Sequence, residues 1–412
     1  DAIKITGLWE RARHKGIEST VLRNIQPNAL GYALGAPTTI KNYHYDSDVI
    51  QPNSPGHVFW YVRGDVDLGF AQFVSLTARN NLLAGRSQDD VDGTRAQIAS
   101  SIAWPIRSKH WSQEFQLLAP ADSKIQWITG AYYFFEHSAF DDVATLLGPI
   151  LTGGPAGGAW RDSHVKTTSF AGFAQATVPL DFINENLRLT AGARYTVDKK
   201  KLDSTGYFAL GYYCELDQRN CFTPVPGTFA PFPHQEKKWK KFTPKITLDY
   251  KFDDTMIYGT YSVGYKGGAF NVSTPSLLGP VNPETLKSWE IGSKSQFMGG
   301  RIRLNTAAYL YKFKNVQVQR VDVGAGGATT WQNAAAATAK GIEVNFQARA
   351  HEYLTLNAAV AWAHGKYDDF TGAASVIINP AAPPSPNAAA IFNASGNRMI
   401  RAPKLTLNFG AS

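Results

Sequence analysis

The chain has 412 residues, a net charge of +8, and 18% charged and 12% aromatic residues. The charged fraction lies below the roughly 25% of soluble domains, and no stretch approaches the ~18 consecutive apolar residues of a membrane helix. Lys and Arg are spread along the chain, without the clustering that nucleic-acid binding needs. These features exclude helical membrane spans, argue against a nucleic-acid partner, and leave room for one large all-β architecture.

The connections between predicted strands alternate between short and long. Tight turns are predicted near residues 63–66, 119–122, 181–184, 251–254, 298–300 and 350–352. The long polar segments between them are residues 21–54, 81–106, 139–163, 204–236, 268–282, 321–334 and 370–400. Soluble domains rarely contain one such loop, whereas outer-membrane barrels have short periplasmic turns and long extracellular loops. The sequence therefore predicts about fourteen strands of a transmembrane antiparallel β-barrel.

Alternation of apolar and polar residues defines the faces of the predicted strands. The first clear apolar face contains Leu187, Leu189, Ala191, Ala193, Tyr195 and Val197. Later strands repeat the pattern with Ile246 and Leu248, Ile257 and Val263, Trp289 and Ile291, Ile342 and Val344, and Leu354 and Leu356. A soluble β-sandwich also alternates, but its strands favour about five or six residues, whereas these run to roughly 12 to 18. Aromatic residues at the strand ends, among them residues 132–135, are interpreted as interfacial girdles and further favour a membrane barrel.

Two regions depart from this pattern. Tyr309, Leu310, Tyr311 and Phe313 interrupt the alternation, which is consistent either with a β-bulge or with the strand leaving the bilayer. Residues 20–53 are interpreted only as a loop. The strand assignment is therefore weakest in the first hundred residues.

The two cysteines of the chain, Cys214 and Cys221, lie in the same predicted loop. Two thiols without neighbouring histidines are too few for a metal site. A disulfide that closes the loop is the favoured interpretation, and it requires an oxidising compartment. The sequence starts at Asp1 without a signal peptide, so we expect a mature chain or a fragment.

Seven short segments combine a strand pattern with turn residues: residues 112–118, 127–133, 189–196, 261–271, 283–295, 299–305 and 340–344. In the same order, they resemble parts of the barrel of TonB-dependent outer-membrane receptors. Each one is short, but together they extend from about residue 110 towards the end of the sequence. The ordered series, and not any single motif, carries the resemblance.

The resemblance implies a 22-stranded barrel around an N-terminal plug, which imports ferric siderophores or similar scarce nutrients. It also implies an outer-membrane location, contact with membrane lipid, and energy supplied by TonB through a region that this sequence lacks. Residues 1–412 are accordingly expected to be a barrel-domain fragment, without the plug and the C-terminal strands. Open sheet edges are expected near residues 3–20 and 401–412.

We find no catalytic constellation and no metal-ligand set in the sequence, so the protein is predicted not to be an enzyme and to need no cofactor. Binding of an iron chelate requires aromatic faces with a few cationic groups. The candidates in the predicted outer loops are Trp160, Arg161, Tyr212, Tyr213, Arg320 and Trp331. The alternative is that these aromatic residues form the extracellular girdle or pack loops together. Lumen-facing charges such as Lys266 are expected to contact a plug or water.

Other functions fit the same barrel pattern. A passive porin would lack a plug, and a TonB-dependent receptor could import a glycan or a vitamin instead of a siderophore. An enzyme built on a barrel would need a nucleophile and a base, which we do not find. The sequence upstream of Asp1 would discriminate between these alternatives.

Overall fold

The computed structural model is built almost entirely from β-strands. It describes residues 3–13, 16–17, 52–53, 56–83, 87–90, 100–103, 107–147, 156–211, 222–228, 230–272, 279–322, 328–377 and 388–412. In this part of the chain, no helix has the length and apolar character of a membrane span.

The strands differ greatly in length, from two to 25 residues. In chain order they are β1 (Ile3–Arg13), β2 (Gly16–Ile17), β3 (Pro52–Asn53), β4 (Gly56–Asp67), β5 (Gln72–Leu83), β6 (Ser87–Asp90), β7 (Ser100–Ala103), β8 (Arg107–Leu118), β9 (Gln126–Leu147), β10 (Ala156–Pro179), β11 (Leu187–Gly211), β12 (Phe222–Pro224), β13 (Ala230–Pro231), β14 (Gln235–Phe252), β15 (Thr255–Lys266), β16 (Glu284–Phe297), β17 (Ile302–Asp322), β18 (Ala328–His351), β19 (Leu354–Asp369), β20 (Ala373–Ile377), β21 (Ala388–Phe392) and β22 (Leu405–Ala411).

In the described part of the chain, one antiparallel sheet contains 18 strands, and fourteen of them form a wall in which each strand pairs with the next. Their order is β1, β4, β5, β8, β9, β10, β11, β14, β15, β16, β17, β18, β19, β22. Within the described residues, β1 pairs only with β4 and β22 only with β19, so the sheet is open along these two edges. The structure thus confirms the predicted partial antiparallel barrel.

Short turns join every second pair of these strands, at what we call the turn end of the sheet. They contain residues 119–125, 180–186, 253–254, 298–301 and 352–353, close to the predicted positions. Asp253 and Met298 have φ angles of 47° and 55°, and Gly299 and Gly300 have φ angles of 65° and 81°. These left-handed conformations allow the chain to reverse direction in two to four residues.

The predicted turn at residues 63–66 is wrong, because this segment lies inside β4. The chain reverses at residues 68–71, where the Leu68 amide donates to the Ala71 carbonyl oxygen (2.9 Å). The Asp67 carboxylate accepts from the Gly69 amide (2.8 Å), and Gly69 has a φ of 81°. Asp67 followed by Gly69 was the turn signal, since Asx side chains cap such turns.

We call the opposite end of the sheet the loop end. There, several of the predicted long loops consist largely of strand residues. Residues 139–163 contain the end of β9 and the start of β10, and residues 321–334 contain the ends of β17 and β18. Residues 204–236 and 370–400 contain further short strands. Backbone pairing continues beyond the membrane, but no lipid requires an apolar face there. The alternation that identifies strands in the sequence is therefore lost.

The two faces of the sheet match the predicted alternation. On the face predicted to contact lipid, which we call the outer face, Ile246, Ile291 and Ile342 are 51%, 67% and 52% exposed. On the opposite face, which we call the lumen face, Arg188 donates to Asp249 (2.7 Å). Large apolar side chains this exposed are unfavourable in water but suit the lipid-facing surface of a barrel.

The interrupted alternation around Tyr309 is not a bulge, because β17 pairs with β18 in constant register from Tyr309 to Phe313. Tyr309 and Tyr311 lie on the lumen face with ring centroids 4.4 Å apart. A Cβ added to Gly341 would lie only 2.5 Å from the Tyr309 hydroxyl oxygen. On the lumen face of β17, tyrosine rings that cover glycines stand where polar side chains were expected. Aromatic residues of the lumen face therefore alternate with apolar residues of the outer face, and the sequence shows an uninterrupted apolar run.

Candidate functional site

The connection after β15 folds back against the lumen face of the sheet. Phe270 is buried, and its ring centroid lies 6.4 Å from that of Trp239 on β14. Trp239 pairs with Asp198 and so shares the lumen face. A Cβ on Gly268 would collide with the Trp239 ring and lie 2.6 Å from the Val281 carbonyl oxygen. Only glycine allows this close approach.

Amide side chains fix this connection to β17 and β18. The Asn271 side chain donates to the Trp331 carbonyl oxygen (3.1 Å) and accepts from the Trp331 amide (2.6 Å). Gln317 donates to the Asn282 carbonyl oxygen (3.0 Å), and Asn333 accepts from the Asn282 amide (2.8 Å). Asn271 is buried with its hydrogen bonds satisfied. These bonds hold the described parts of the connection, around Asn271 and Asn282, against β17 and β18.

A cavity of about 570 Å³ lies between this connection and the lumen face of β9, β10 and β11, towards the loop end. Its volume is in the range of small-molecule sites. Aromatic, cationic and acidic side chains contribute to its lining. The lining residues are Tyr132, Phe134, Glu136, Thr167, Ser169, Asp198, Lys200, Lys266, Gly267, Ala269, Gln317 and Trp331. We call this cavity the lumen pocket.

The charges of the lumen pocket are balanced, with two lysines and two carboxylates in its wall. The Lys266 Nζ lies 5.7 Å from the centroid of the Trp331 ring, a cation–π distance. Asp198 accepts from the Tyr265 hydroxyl (2.8 Å). The buried Thr167 hydroxyl has no hydrogen-bond partner among the described residues. The pocket therefore offers an aromatic face, ammonium groups and a hydroxyl to a bound molecule.

Aromatic side chains continue along the lumen from this pocket towards the turn end. The Arg194 guanidinium lies 5.3 Å from the Tyr132 ring and 5.6 Å from the Phe173 ring. Further round the sheet, the Tyr258 hydroxyl donates to Glu290 (2.7 Å). The lumen is thus lined by aromatic rings and charges that hold each other in place.

A larger cavity of about 830 Å³ lies at the turn end, beside Lys4, Arg63 and Asp65. Arg63 binds Asp65 through two nitrogens at 2.8 and 2.7 Å, so this ion pair already satisfies both groups. Aromatic residues are missing from the described lining. We therefore regard the lumen pocket, and not this cavity, as the candidate ligand site.

The predicted site residues have different positions. Trp331 lies in the wall of the lumen pocket, whereas Arg161 lies on β10 outside that lining. The backbones of Trp160 and Arg320 belong to β10 and β17, and their side chains are outside the described structure. Tyr212, Tyr213, Cys214 and Cys221 fall outside the described residues. For all of these residues, a role in binding or in a disulfide stays a prediction.

The β9 and β11 side of the lumen pocket was not among the sites predicted from the sequence. Tyr132 and Phe134 are aromatic residues on a lumen face, and they were interpreted as part of an interfacial girdle. Tyr132 and Phe134 lie at every second position together with the polar Glu136. Aromatic residues that share this spacing with polar residues of the same strand could have indicated the lumen face. Among the described residues, no group of three His, Cys, Asp or Glu side chains could hold a metal ion.

Several solved structures contain a fold similar to that of this chain. FyuA, the ferric yersiniabactin uptake receptor from Yersinia pestis, is 14% identical with a TM-score of 0.66, over 88% of this chain and 48% of that one. The siderophore receptor PiuA from Acinetobacter baumannii is 12% identical with a TM-score of 0.63, over 100% and 60%. The Ferric-Catecholate import receptor Fiu from K12 E. coli is 14% identical with a TM-score of 0.57, over 90% and 56%. At these identities the likeness shows the fold alone.

The chain spans about half the length of these structures. No curated protein matches its sequence. A family model described as "TonB dependent receptor-like, beta-barrel" matches residues 11–412, nearly the whole chain. Together with the partial antiparallel barrel, this match shows that the chain belongs to the TonB-dependent receptors, a family of outer-membrane receptors and not of enzymes, and forms part of their β-barrel.

Proposed function

We propose that the chain is the barrel part of a receptor in a bacterial outer membrane that binds a ferric siderophore or a similar iron chelate. Energy for uptake would be supplied by TonB, as the family implies. The neighbours named above carry siderophore or ferric-chelate uptake in their names. The observation that carries the proposal is the lumen pocket, a cavity towards the loop end whose wall combines aromatic rings with two lysines and two carboxylates.

The chemistry of the pocket suits an iron chelate of low net charge. Trp331 and Phe134 offer ring faces for the apolar parts of a ligand, and Lys266 offers an ammonium group for the oxygens of a chelate. Glu136 and Asp198 offset the two lysines, so the pocket has no large excess of positive charge. A chelate with several negative charges would bind less well here than one that is nearly neutral.

The direct test uses the full-length receptor and a panel of ferric chelates of different net charge, together with a vitamin and an oligosaccharide. Binding is followed by quenching of intrinsic fluorescence, and uptake of radioactive iron is measured in cells with and without TonB. We expect one class of ferric chelate to bind and to enter only when TonB is present. Binding of the vitamin or oligosaccharide alone would overturn the siderophore proposal, and ion conductance without ligand binding would favour a porin.

A further inference from the structure

Four side chains on the lumen face of β8 and β9 form a hydrogen-bonded row beside the lumen pocket. The Ser108 Oγ lies 2.6 Å from the His110 Nε2 and 2.7 Å from the Ser138 Oγ. Ser138 donates to the Glu136 Oε1 (3.0 Å), and Glu136 belongs to the lining of the lumen pocket. Both serines are only 5% exposed. We call these four residues the polar cluster.

The hydrogen atoms of the polar cluster can be assigned by counting. Three contacts connect the four residues in a row and need three hydrogens, whereas the two serine hydroxyls supply only two. Because an ionised carboxylate only accepts, the third hydrogen is on the His110 Nε2. The donors then point in one direction, from His110 through both serines to Glu136. A further proton on His110 enters at Nδ1 and leaves this row of bonds intact.

An oxygen atom that can accept from a protonated Nδ1 is present on the neighbouring strand. Asn80 of β5 stands directly opposite His110, and the Cβ atoms of directly opposed residues are about 5 Å apart. The Asn80 Oδ1 is buried and has no hydrogen-bond partner within the described part of the chain. Buried polar atoms are normally paired. Asn80 and Glu136 therefore flank His110 with oxygen atoms, which favour a positive charge on the ring.

The charged groups that face His110 come from β9 and β11. The nearest is Glu136, whose Oε1 lies 3.6 Å from the His110 Nε2. Beyond Glu136, cross-strand pairing places Thr167 and then Lys200 in the same row of the lumen face. On β8 itself, the next charged residue of this face is Glu114. The side chains between these groups on β5 and β8 are uncharged: Ala78, Asn80, Leu82, Ser108 and Ser112.

The polar cluster is coupled to the lumen pocket but does not have the geometry of a catalytic triad. The His110 ring packs edge-on against Phe134 of the pocket wall, with centroids 5.9 Å apart and an interplanar angle of 86°. Ser108 and Glu136 both lie at the Nε2 of His110, whereas a triad uses the two ring nitrogens separately. The cluster is therefore suited to a change of charge and not to attack on a bond.

We propose that protonation of His110 converts the lumen pocket from a charge-balanced site into an anion-binding site, so that anionic iron chelates bind better at acid pH. With neutral His110, the two carboxylates of the pocket offset its two lysines. Histidine is the side chain that ordinarily becomes charged between about pH 8 and 5. Protonated His110 adds one positive charge and pairs with Glu136, which leaves Lys200 less compensated. The inference rests on the proposed function, because it concerns the ligand of the same pocket.

The test measures the access of iodide, a small anion, to the Trp331 ring of the pocket in the full-length receptor. Iodide quenching of fluorescence is recorded at about pH 7.5 and about pH 5.5, with uncharged acrylamide as the control quencher. The contribution of Trp331 is the difference between each protein and the same protein with Trp331→Phe. The test variants are His110→Gln and Glu136→Gln. The control is His57→Gln, since His57 also pairs with a lumen-face carboxylate (3.2 Å) but lies outside the pocket lining.

We expect iodide quenching of Trp331 to be about threefold stronger at acid pH in the wild type, as for one added charge roughly 10 Å away. The His57→Gln control should respond equally, and His110→Gln should not respond to pH. Glu136→Gln should show strong quenching already at neutral pH, because the carboxylate is gone. Acrylamide quenching should not depend on pH. A wild type without a pH response, or a response that persists in His110→Gln, would overturn the proposal.

The anionic ferric chelates of the panel above are titrated on the same proteins to separate this inference from the proposed function. They should bind the wild type about threefold to tenfold more tightly at acid pH, and His110→Gln should remove this difference. If chelates bind but iodide quenching and chelate affinity do not depend on His110, only the His110 proposal fails. If iodide quenching responds as expected but no chelate binds at either pH, the proposed function fails instead.

Discussion

At the scale of single residues, Trp331 connects the sequence prediction with the structure. Its aromatic side chain next to polar residues made it a candidate, and the structure places it in the lumen pocket beside Lys266. Its partners on β9 and β11 are more than 100 positions away in the sequence. Trp331 and these partners meet only through the curvature and strand order of the whole sheet. The pattern of a single strand does not predict such contacts between distant strands.

Replacement of Trp331 tests the lumen pocket directly. We expect Trp331→Ala to weaken binding of the ferric ligand about tenfold or more, because buried aromatic contacts dominate binding energy. Trp289→Ala is the matched control. Trp289 has a lysine, Lys312, at a similar distance (6.0 Å) but lies on the outer face, so the control should bind normally. Equal effects of the two changes in fluorescence titrations would place the ligand elsewhere.

The predicted disulfide between Cys214 and Cys221 is tested by thiol labelling. A bridge across such a short loop should restrict that loop without stabilising the barrel as a whole. We expect the unreduced, denatured protein to take up no maleimide and the reduced protein to take up two. Labelling of both cysteines before reduction would show that the bridge does not form.

At the scale of elements, the alternation in the sequence predicted the faces of the strands correctly, because most lipid-facing residues must be apolar. It failed where that requirement ends. The ends of β9, β10, β17 and β18 pair outside the apolar band, and their sequences were interpreted as loops. Turn positions were predicted well where Gly or Asp allows a left-handed conformation. The exception was the turn at Asp67 and Gly69, which begins directly after residues 63–66, where the turn was predicted.

Charge substitution should depend on the face of the strand. Ile246→Arg puts a cation against lipid and should cost about 2–4 kcal/mol near the midplane. The adjacent Thr247→Arg points into the lumen and should cost only about 1 kcal/mol, from the lost hydrogen bond to Thr260 (2.9 Å). Refolding of the full-length protein into detergent, followed by heat-dependent gel migration, measures both. Equal damage would mean that the two faces are assigned wrongly.

The described part of the connection after β15 that packs on Trp239 should be necessary for ligand binding. In Gly268→Ala, the new Cβ would collide with Trp239, so the connection should move away from the lumen face and ligand affinity should fall severalfold or more. Gly279→Ala changes the same connection, but nothing lies within 4 Å of its added Cβ. We expect this control to bind normally. A barrel of normal heat stability with normal affinity in Gly268→Ala would contradict the role of this segment.

At the scale of the whole molecule, the orientation in the membrane follows from the two ends of the sheet. Gly227 lies in a turn at the loop end and Gly299 in a turn at the turn end, with φ angles of 83° and 65°. A protease site inserted after Gly227 in the full-length receptor should be cut on intact cells. The same site inserted after Gly299 should be cut only after the outer membrane is permeabilised. The reverse pattern would invert the topology.

We propose that an iron chelate binds inside the barrel, in the lumen pocket. The most direct measurement is a crystal structure of the full-length receptor with its ferric ligand, recorded at the iron absorption edge. We expect one anomalous peak in the lumen, between Trp331 and the lumen face of β9 to β11, beside Lys266. A peak only at the turn end, near Arg63 and Asp65, or a ligand bound without any contact to these walls, would contradict it.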